Sequence, residues 1–445
     1  MIDPQGSTGA LSAVVIALAV LVPGCLALLG RRDPLGVLLA VIGSALVTSA
    51  AGLLAVLTRT PTRPWFIVAA VAVVGGGSVR RHVVTTPRHV APWWLAVAPI
   101  SVATLAALPV LTRAPVQWDA RSIWFFHASW FASADVAYTD LATAEAFSHP
   151  DYPPLAPSLG GFAWFFGDGR NDWTPQLTTG ALTLAGIGLL VTIVATGVAD
   201  RRVQAATVAA LSLVAIATIQ GNGFDGYVDG TAALLLAVVI MSTVLDDVDP
   251  TTTVLAALAL ALVKNEAFLF LLVVVVPLHL VSRRSVRPLA PAIAAGLAWV
   301  VAIRLPGLDL ESWQIENALP WSTGFSGRLA DVAAAITGES SLRAAALSWA
   351  GAALLAGTGS SGPAKRIVAF TGAAGAAMVV VLVGVYLATP SDLSWHLDAS
   401  VDRLVINPAL VLGAGAVAAA ARALDRPTSS LEAHPADSGQ PGGHG

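Results

Sequence analysis

Apolar segments long enough to cross a membrane recur along this chain from residue 10 to residue 421, separated by short polar stretches. A membrane-spanning helix needs about 20 mostly apolar residues. The pattern predicts spans at approximately 10–30, 35–57, 64–79, 92–111, 173–199, 203–219, 229–246, 251–263, 266–281, 288–305, 343–357, 366–388 and 403–421. Because several of these are short, the predicted fold is all-α, a polytopic transmembrane helix bundle of about 11 to 13 spans.

The composition agrees with this pattern. Hydrophobic residues make up 56% of the chain and charged residues 11%, and the mean hydropathy is +0.75. Such a chain has too little polar surface to be soluble, so we expect the lipid bilayer as its environment. The net charge of −3, with no basic cluster on a soluble face, gives no case for a nucleic acid partner. Cys25 is the one cysteine, which excludes an intramolecular disulfide.

The distribution of Arg and Lys predicts an orientation, since basic residues favour the cytoplasmic side. If Arg31 and Arg32 face the cytoplasm, the same side receives Arg80, Arg81, Arg88, Arg201, Arg202, Arg283, Arg284, Arg287, Lys365, Arg366, Arg422 and Arg426. We therefore expect a multi-pass protein of the inner (plasma) membrane, with its N-terminus outside and its C-terminus cytoplasmic. The stretch 251–281 fits best as a hairpin with an outer tip, because a hairpin returns Arg283 to the basic side.

This orientation gathers polar residues on the extracytoplasmic side. The loop 112–172, the segments 220–229 and 264–266, and the loops 306–342 and 389–402 would all lie there. They hold most of the acidic residues, including Asp119, Asp135, Asp151, Asp225, Asp229, Glu266, Glu311, Glu316, Asp392 and Asp398. Residues 1–426 thus form one membrane domain, and 427–445, rich in Pro, Gly, Ser and His, are predicted to be a disordered cytoplasmic tail.

The loop 112–172 is the first candidate for chemistry. It carries WDARSIW at 118–124 and HPDYPPL at 149–155, and its length and aromatic content are typical of an ordered, functional loop. Residues 122–133 are predicted to form a helix lying flat in the membrane interface, over the bundle. Asp119 precedes this helix, between Trp118 and Trp124. It is either a helix cap or a carboxylate tuned by its aromatic surroundings for proton abstraction.

The end of this loop has two interpretations. Proline removes a backbone donor and disfavours helical geometry in the residue before it, so Asp151-Tyr152-Pro153-Pro154 cannot continue a helix. The segment is either stiff and extended, holding His149, Asp151 and Tyr152 above a cavity, or a turn that leads into the next span.

Two later groups of charged residues also have alternative interpretations. Lys264, Asn265 and Glu266 interrupt an apolar stretch, where an ionisable group must be paired or face water. They form either a structural Lys264–Glu266 pair or a site reached from outside. His396 and Arg403 meet at the outer mouth of the last span, where Arg403 either recognises phosphate or anchors the helix at the interface.

Taken together, these segments, with GYVDGTAALL at 226–235, VKNEAF at 263–268 and SWHLDASVDRL at 394–404, resemble the GT-C class of integral membrane glycosyltransferases. The resemblance is greatest to the bacterial branch related to protein mannosyltransferases and the aminoarabinose transferase of lipid A, and spans roughly residues 112–408. It implies a GT-C fold and an enzyme that moves a sugar from a polyprenyl phosphate to an acceptor on the outer membrane face. By this resemblance Asp119 matches the first-loop acidic residue, the expected general base or acceptor-orienting group. Two departures are the four spans before the loop, where the family often has one, and the lack of a recognisable periplasmic domain.

The resulting hypothesis is an inverting transfer in which Asp119 takes a proton from an acceptor hydroxyl, which attacks the anomeric carbon as polyprenyl phosphate leaves. Arg403, Lys264 and His396 are candidates to stabilise the departing phosphate, with His149 and Tyr152 as supporting contacts. Asp151, Arg121, Asp229 and Glu266 complete the substrate-binding candidates. No cofactor is expected, since the spacing of Asp119, Asp151 and Asp229 does not argue for a divalent metal.

The expected partners are a polyprenyl-phosphate sugar and a cell-envelope glycan, lipid or protein acceptor. The Ala- and Val-rich, Lys-poor composition suits a high-GC bacterium, which favours a mannosyltransferase or arabinosyltransferase. Two other functions remain open from sequence. One is a polytopic flippase or transporter of lipid-linked glycans, although such proteins are often built from repeats that are not evident here. The other is an outer-face ligase or polymerase of glycans.

Overall fold

The computed structural model describes residues 4–80, 91–113, 117–144, 148–167, 171–305, 315–320, 322–358 and 362–425. These residues form helices and connecting turns, and no strand occurs among them, which confirms the prediction of an all-α protein. The predicted disordered tail 427–445 lies outside the described residues, as do Arg81, Arg88, Glu311 and Arg426.

The first half of the chain forms nine helices and a π-helical turn. They are α1 Pro4–Leu29, α2 Pro34–Thr58, α3 Arg63–Arg80, α4 Trp94–Leu111, the π-helix Ala120–Phe125, α5 Phe126–Phe131, α6 Tyr138–Ala144, α7 Leu155–Ala163, α8 Trp173–Thr196 and α9 Arg201–Ile219. The second half continues with α10 Asp229–Val244, α11 Pro250–Val263, α12 Asn265–Phe270, the π-helix Leu271–Val275, α13 Val276–Val281, α14 Ala290–Arg304, α15 Phe325–Gly338, α16 Ser340–Thr358, α17 Gly362–Leu387, α18 Leu393–Leu404 and α19 Ile406–Leu424.

Within the described ranges, eight helices are long and apolar enough to cross a membrane. They are Thr8–Leu29, Pro34–Thr58, Trp94–Leu111, Trp173–Thr196, Arg201–Ile219, Arg287–Arg304, Gly362–Leu387 and Leu393–Leu424. Five shorter apolar helices accompany them, at Arg63–Ser78, Leu155–Phe166, Asp229–Val244, Pro250–Val263 and Asn265–Val281. The chain is therefore a multi-pass membrane protein by the length and composition of its helices. The predicted span 343–357 lies in α16 and belongs to neither set.

The helix α10 forms the axis of the bundle, because all of its 16 residues are buried. At 1.5 Å per residue it is about 24 Å long. Asp229 at its first turn meets Lys264, and Thr243 at its last turn meets His279, whose Nε2 lies 2.8 Å from Thr243 Oγ1. Lys264, which follows α11, lies at the Asp229 end of α10, and His279 lies at the Thr243 end. The chain therefore reverses at Lys264, which confirms the predicted hairpin over 251–281.

One end of this axis, the basic end, is built from Arg–Asp pairs. Asp33 and Asp249 each stand before a proline, and their side chains cap α2 and α11 by accepting from the backbone N–H of Gly36 and Thr251. Arg31 binds both carboxylates and so joins the two helix starts. Asp246 likewise binds Arg284 and Arg366. Three of the basic residues that sequence placed on one side, Arg31, Arg284 and Arg366, thus gather at one end of the bundle.

The loop 112–172 packs into the bundle more deeply than predicted. The predicted helix at 122–133 is present as the first π-helix and α5, but Trp124, Phe125, Trp130 and Phe131 are at most 3% exposed. All residues of α7 are buried, and Ser158 lies 3.2 Å from Thr48 on α2. A side chain at Gly161 would come within 2.9 Å of the Ala128 carbonyl, so glycine permits this contact between α5 and α7.

The stretch 389–402 differs from the predicted loop, because most of it belongs to α18. The side chain of Asp392 caps this helix by accepting from the Trp395 N–H at 3.0 Å. The polar residues mixed into this segment are typical of a loop. In the structure one face of the helix is buried, with Leu393, Leu397, Ser400 and Leu404. The helix carries His396 and Arg403 to the end of the bundle opposite the Arg–Asp pairs.

Candidate functional site

Asp119 and Arg403 form the centre of a polar cluster at the Asp229 end of α10. Arg403 Nη1 donates to Asp119 Oδ2 at 2.6 Å, although the two residues are 284 positions apart in sequence. Their side chains are 26% and 14% exposed, respectively. Asp119 stands at the start of the first π-helix but makes no side-chain cap hydrogen bond. The structure therefore favours a contact with Arg403 over the helix-cap interpretation of Asp119.

The guanidinium of Arg403 is held on three sides. Its Nη2 donates to the Ala399 carbonyl one turn earlier, at 2.9 Å, and its carbon lies 4.7 Å above the ring of Tyr227. An aromatic face beneath a guanidinium adds an attractive cation–π contact. Arg403 is thus a fixed, forked donor inside the protein and not a flexible anchor at a membrane surface.

The connection between α9 and α10 brings Tyr227 to this position. Gly226 has φ +97°, and a side chain there would come within 2.4 Å of the Phe125 ring, so only glycine fits. Asp225 Oδ1 accepts from the Tyr227 N–H at 3.2 Å. Burial raises the pKa of Asp225 to about 7, the negative charge of Asp229 adds to this rise and Arg403 opposes it.

Lys264 stands at the break between α11 and α12, where its backbone is extended. Its Nζ donates to Asp229 Oδ1 at 2.7 Å and lies 3.5 Å from Glu266 Oε1. The structural Lys264–Glu266 pair therefore exists, but the shorter contact is with Asp229. The side chains of Lys264 and Asp229 are only 10% and 2% exposed, so each charge depends on the other.

The end of the long loop joins the cluster through Asp151. Asn265 Nδ2 donates to Asp151 Oδ2 at 2.6 Å, and Trp299 Nε1 donates to the Asp151 carbonyl at 2.8 Å. The Tyr152 N–H donates to the His149 carbonyl at 3.0 Å, so the segment is a turn, and the extended alternative is wrong. This turn leads into the short helix α7.

The turn is fixed by aromatic stacking. Tyr152 lies between Trp124 and His149, with ring centroids 5.3 Å and 5.2 Å apart. His149 itself has φ +55°, a backbone conformation that residues other than glycine rarely adopt. Nearby, His127 Nε2 donates to the Ser148 carbonyl at 2.8 Å, and burial lowers the pKa of His127 to about 3. His127 is therefore a neutral hydrogen-bond donor that ties α5 to this turn.

His396 borders the cluster from α18. Its Nδ1 lies 2.7 Å from Thr389 Oγ1, and its ring meets the edge of the Tyr386 ring at 5.0 Å. The charges of Glu266, Lys264 and Arg403 all act on it. Tyr386 is held in turn by a 3.0 Å hydrogen bond to Ser400.

Nine of the ten site residues chosen from sequence therefore lie in or beside this cluster, which consists of smaller groups of hydrogen bonds, ion pairs and stacked rings linked by charge–charge interactions. They are Asp119, Arg403, His396, Lys264, His149, Tyr152, Asp151, Asp229 and Glu266. Arg121 lies apart, since its Nε pairs with Asp172 at 3.0 Å and their side chains are 61% and 43% exposed. Sequence reasoning missed Tyr227 and Trp299, although Tyr227 lies inside the GYVDG segment, and it named Asn265 without its hydrogen bond to Asp151.

The arrangement offers an acid–base group, a forked cation and aromatic walls, but no preformed metal centre. The part of the chain that the structure describes contains no group of three or more His, Cys, Asp or Glu residues able to hold a metal ion. No family model, curated protein or solved structure matches this chain. The function must therefore be argued from the residues of the site.

Proposed function

We propose that this protein is a membrane glycosyltransferase of the GT-C type. It would transfer a sugar from a polyprenyl-phosphate donor to a cell-envelope acceptor on the extracytoplasmic face, with inversion at the anomeric carbon. The single observation that carries the proposal is the Asp119–Arg403 contact, because it sets a carboxylate and a guanidinium fork side by side in a partly buried position. Those are the two groups that this reaction requires.

Asp119 is the general base in this proposal. It accepts the proton of an acceptor hydroxyl, whose oxygen then forms a bond to the anomeric carbon as the bond from that carbon to the phosphate oxygen breaks. Both electrons of the breaking bond leave with polyprenyl phosphate, which is a stable anion and needs no proton at departure. The side chain of Asp119 is 26% exposed, so an acceptor can reach it.

Arg403 is the group that receives the departing phosphate. Its planar fork matches two phosphate oxygens, and a fixed donor stabilises charge that develops during departure. Arg403 binds Asp119 directly, so a donor phosphate that takes over the guanidinium would release the carboxylate to act as base. Donor binding and activation of Asp119 are then coupled through one hydrogen bond.

The arrangement of the bundle favours transfer over transport. The polar cluster occupies one end of α10, and the residues of this helix between the two ends are buried and mostly apolar. A flippase of lipid-linked glycans needs polar groups along a route between the membrane faces. An outer-face ligase would share the Asp119–Arg403 site and differ in its donor, which the experiment below separates.

The test is transfer of radiolabelled sugar from polyprenyl-phosphate mannose and polyprenyl-phosphate arabinose to envelope acceptors, in membranes with wild-type protein, Asp119→Asn protein or neither. Asp140→Asn is the matched control, because Asp140 is an exposed carboxylate of the same loop. Transfer that requires Asp119 and not Asp140 supports the proposal. Transfer by Asp119→Asn protein at the wild-type rate contradicts the role of Asp119, and absence of transfer from both donors contradicts the named sugars.

A further inference from the structure

The network around α10 contains more carboxylates than cations. Its permanently cationic side chains are Arg403, which binds Asp119, and Lys264, which binds Asp229 and Glu266. The carboxylates that share it are Asp119, Asp151, Asp229 and Glu266. A site designed for phosphate alone would show the opposite balance, since phosphate needs positive charge. The excess of acceptor oxygens therefore calls for a ligand that donates hydrogen bonds.

Two of these carboxylates have a buried oxygen to spare. Among the residues that the structure describes, Asp229 Oδ2 and Glu266 Oε2 are buried and have no hydrogen-bond partner. Asp229 is 2% exposed, so this oxygen has been removed from water without compensation. Other buried atoms of the described residues are also unpaired, but these two are the carboxylate oxygens among them, and an unpaired carboxylate oxygen is a place for a hydrogen-bond donor.

Both carboxylates are held by the same cation. Lys264 Nζ contacts Asp229 Oδ1 and Glu266 Oε1, which leaves Oδ2 and Oε2 as the second oxygen of each group. The ammonium is therefore already used between two carboxylates and is poorly placed to receive a phosphate. The side chain of Glu266 is 22% exposed, whereas that of Asp229 is only 2% exposed.

We propose that Asp229 and Glu266, fixed by Lys264, form a subsite that accepts hydrogen bonds from sugar hydroxyls. This inference rests on the proposed function and deepens it, because it separates the site into a phosphate side at Arg403 and a hydroxyl side at Lys264. Lys264 becomes a positioning residue. A ligand without hydroxyls would leave both oxygens unpaired, and the cost of burying them unpaired would make such a ligand bind more weakly.

The test compares two lipids on purified full-length protein in nanodiscs, polyprenyl phosphate and polyprenyl-phosphate mannose. Wild-type protein should bind the mannose-carrying lipid about tenfold more tightly, the effect expected of one or two hydrogen bonds to a charged acceptor. Glu266→Gln should bring the two affinities close together while binding of polyprenyl phosphate stays the same. Asp140→Asn is the control and should keep the wild-type preference.

A second measurement avoids any dependence on the folding of a variant. Donors that lack one hydroxyl of the mannose ring are tested on wild-type protein, and at least one should lose most of the tenfold preference. Equal binding of polyprenyl phosphate and all mannose-carrying lipids would overturn the hydroxyl subsite while leaving the proposed function intact. Failure of wild-type protein to bind either lipid would instead overturn the proposed function for this donor. A full preference in folded Glu266→Gln protein would remove Glu266 from the subsite.

Discussion

The two ends of α10 treat their charged residues in opposite ways. At the basic end, both side-chain oxygens of Asp33, Asp246, Asp249 and Asp425 accept hydrogen bonds, from arginine side chains or backbone N–H groups. At the Asp229 end, Asp229 Oδ2 and Glu266 Oε2 are buried without such a bond from any described residue. The same helix thus separates carboxylates whose oxygens are all bonded from two carboxylates that each keep one unbonded oxygen.

The two ends differ in how much their charged residues cost the stability of the folded protein. Saturated, partly exposed ion pairs tie helices together at little cost and contribute little individually. Buried carboxylate oxygens without a hydrogen bond are costly, and such features cluster at functional sites. Under the proposed function, the basic end serves assembly of the bundle and the Asp229 end serves chemistry.

Among the variants that compare the two ends, the largest effect should come from Arg403→Gln. This variant removes the forked cation and leaves Asp119 without its partner, so transfer should fall about 10²- to 10³-fold, as when one donor to a developing anion is lost. Arg403→Lys, which keeps the charge but not the fork, should retain more activity. Arg284→Gln at the basic end is the matched control. Similar losses from Arg403→Gln and Arg284→Gln would abolish the distinction between the two ends.

Asp225 should make the stability of the protein depend on pH near neutrality. Its pKa is raised to about 7, so the folded state prefers the protonated carboxyl. The stability it contributes is complete at acidic pH, below the ordinary aspartate pKa of 3.8, and is lost as the pH rises through about 7. Between about pH 5 and about pH 8 the melting temperature of wild type should fall by on the order of 2 °C more than that of Asp225→Asn.

The check is the melting temperature of both proteins in detergent at several pH values. Asp246→Asn is the control, because the pKa of Asp246 is lowered, first by its hydrogen bond with Arg366. Parallel melting curves for wild type and Asp225→Asn across this range would show that Asp225 titrates elsewhere.

The smallest effect should come from Asp246→Asn itself. Asp246 binds Arg284 and Arg366, but its side chain is 59% exposed, and exposed pairs are worth about 0–1 kcal/mol. Transfer should be unchanged and the melting temperature nearly so. A loss of transfer comparable to that of Arg403→Gln would place chemistry at the basic end.

Much of the fold could be predicted because local patterns carry it. The apolar segments predicted the helices. The hairpin was predicted because Lys264 interrupts an apolar stretch and Arg283, further along, belongs on the basic side. The segment at α18 was missed as a helix because its buried face alternates with Ser, Asp and His, which resembles a loop when read by composition alone. The depth of α7 was missed because the small and apolar residues of a short helix do not reveal what covers them.

The residues of the site could be predicted more easily than their contacts. Asp119, Lys264 and Arg403 were found because charged residues near membrane segments are rare. Their pairing could not be found, since Asp119 meets Arg403 across 284 positions and Lys264 meets Asp229 across 35. Tyr227 beneath Arg403 depends on the positive φ of Gly226, which a sequence pattern shows only after the contact is known.

The most direct test of the account uses purified wild-type and Asp119→Asn protein in nanodiscs, with equal folded amounts shown by their melting curves. Each receives a polyprenyl-phosphate sugar and an envelope acceptor, and the sugar transferred is counted over time. The account predicts transfer by wild type and a loss of about 10²- to 10⁴-fold in the variant, the range for a general base. Equal transfer by the two proteins would contradict it.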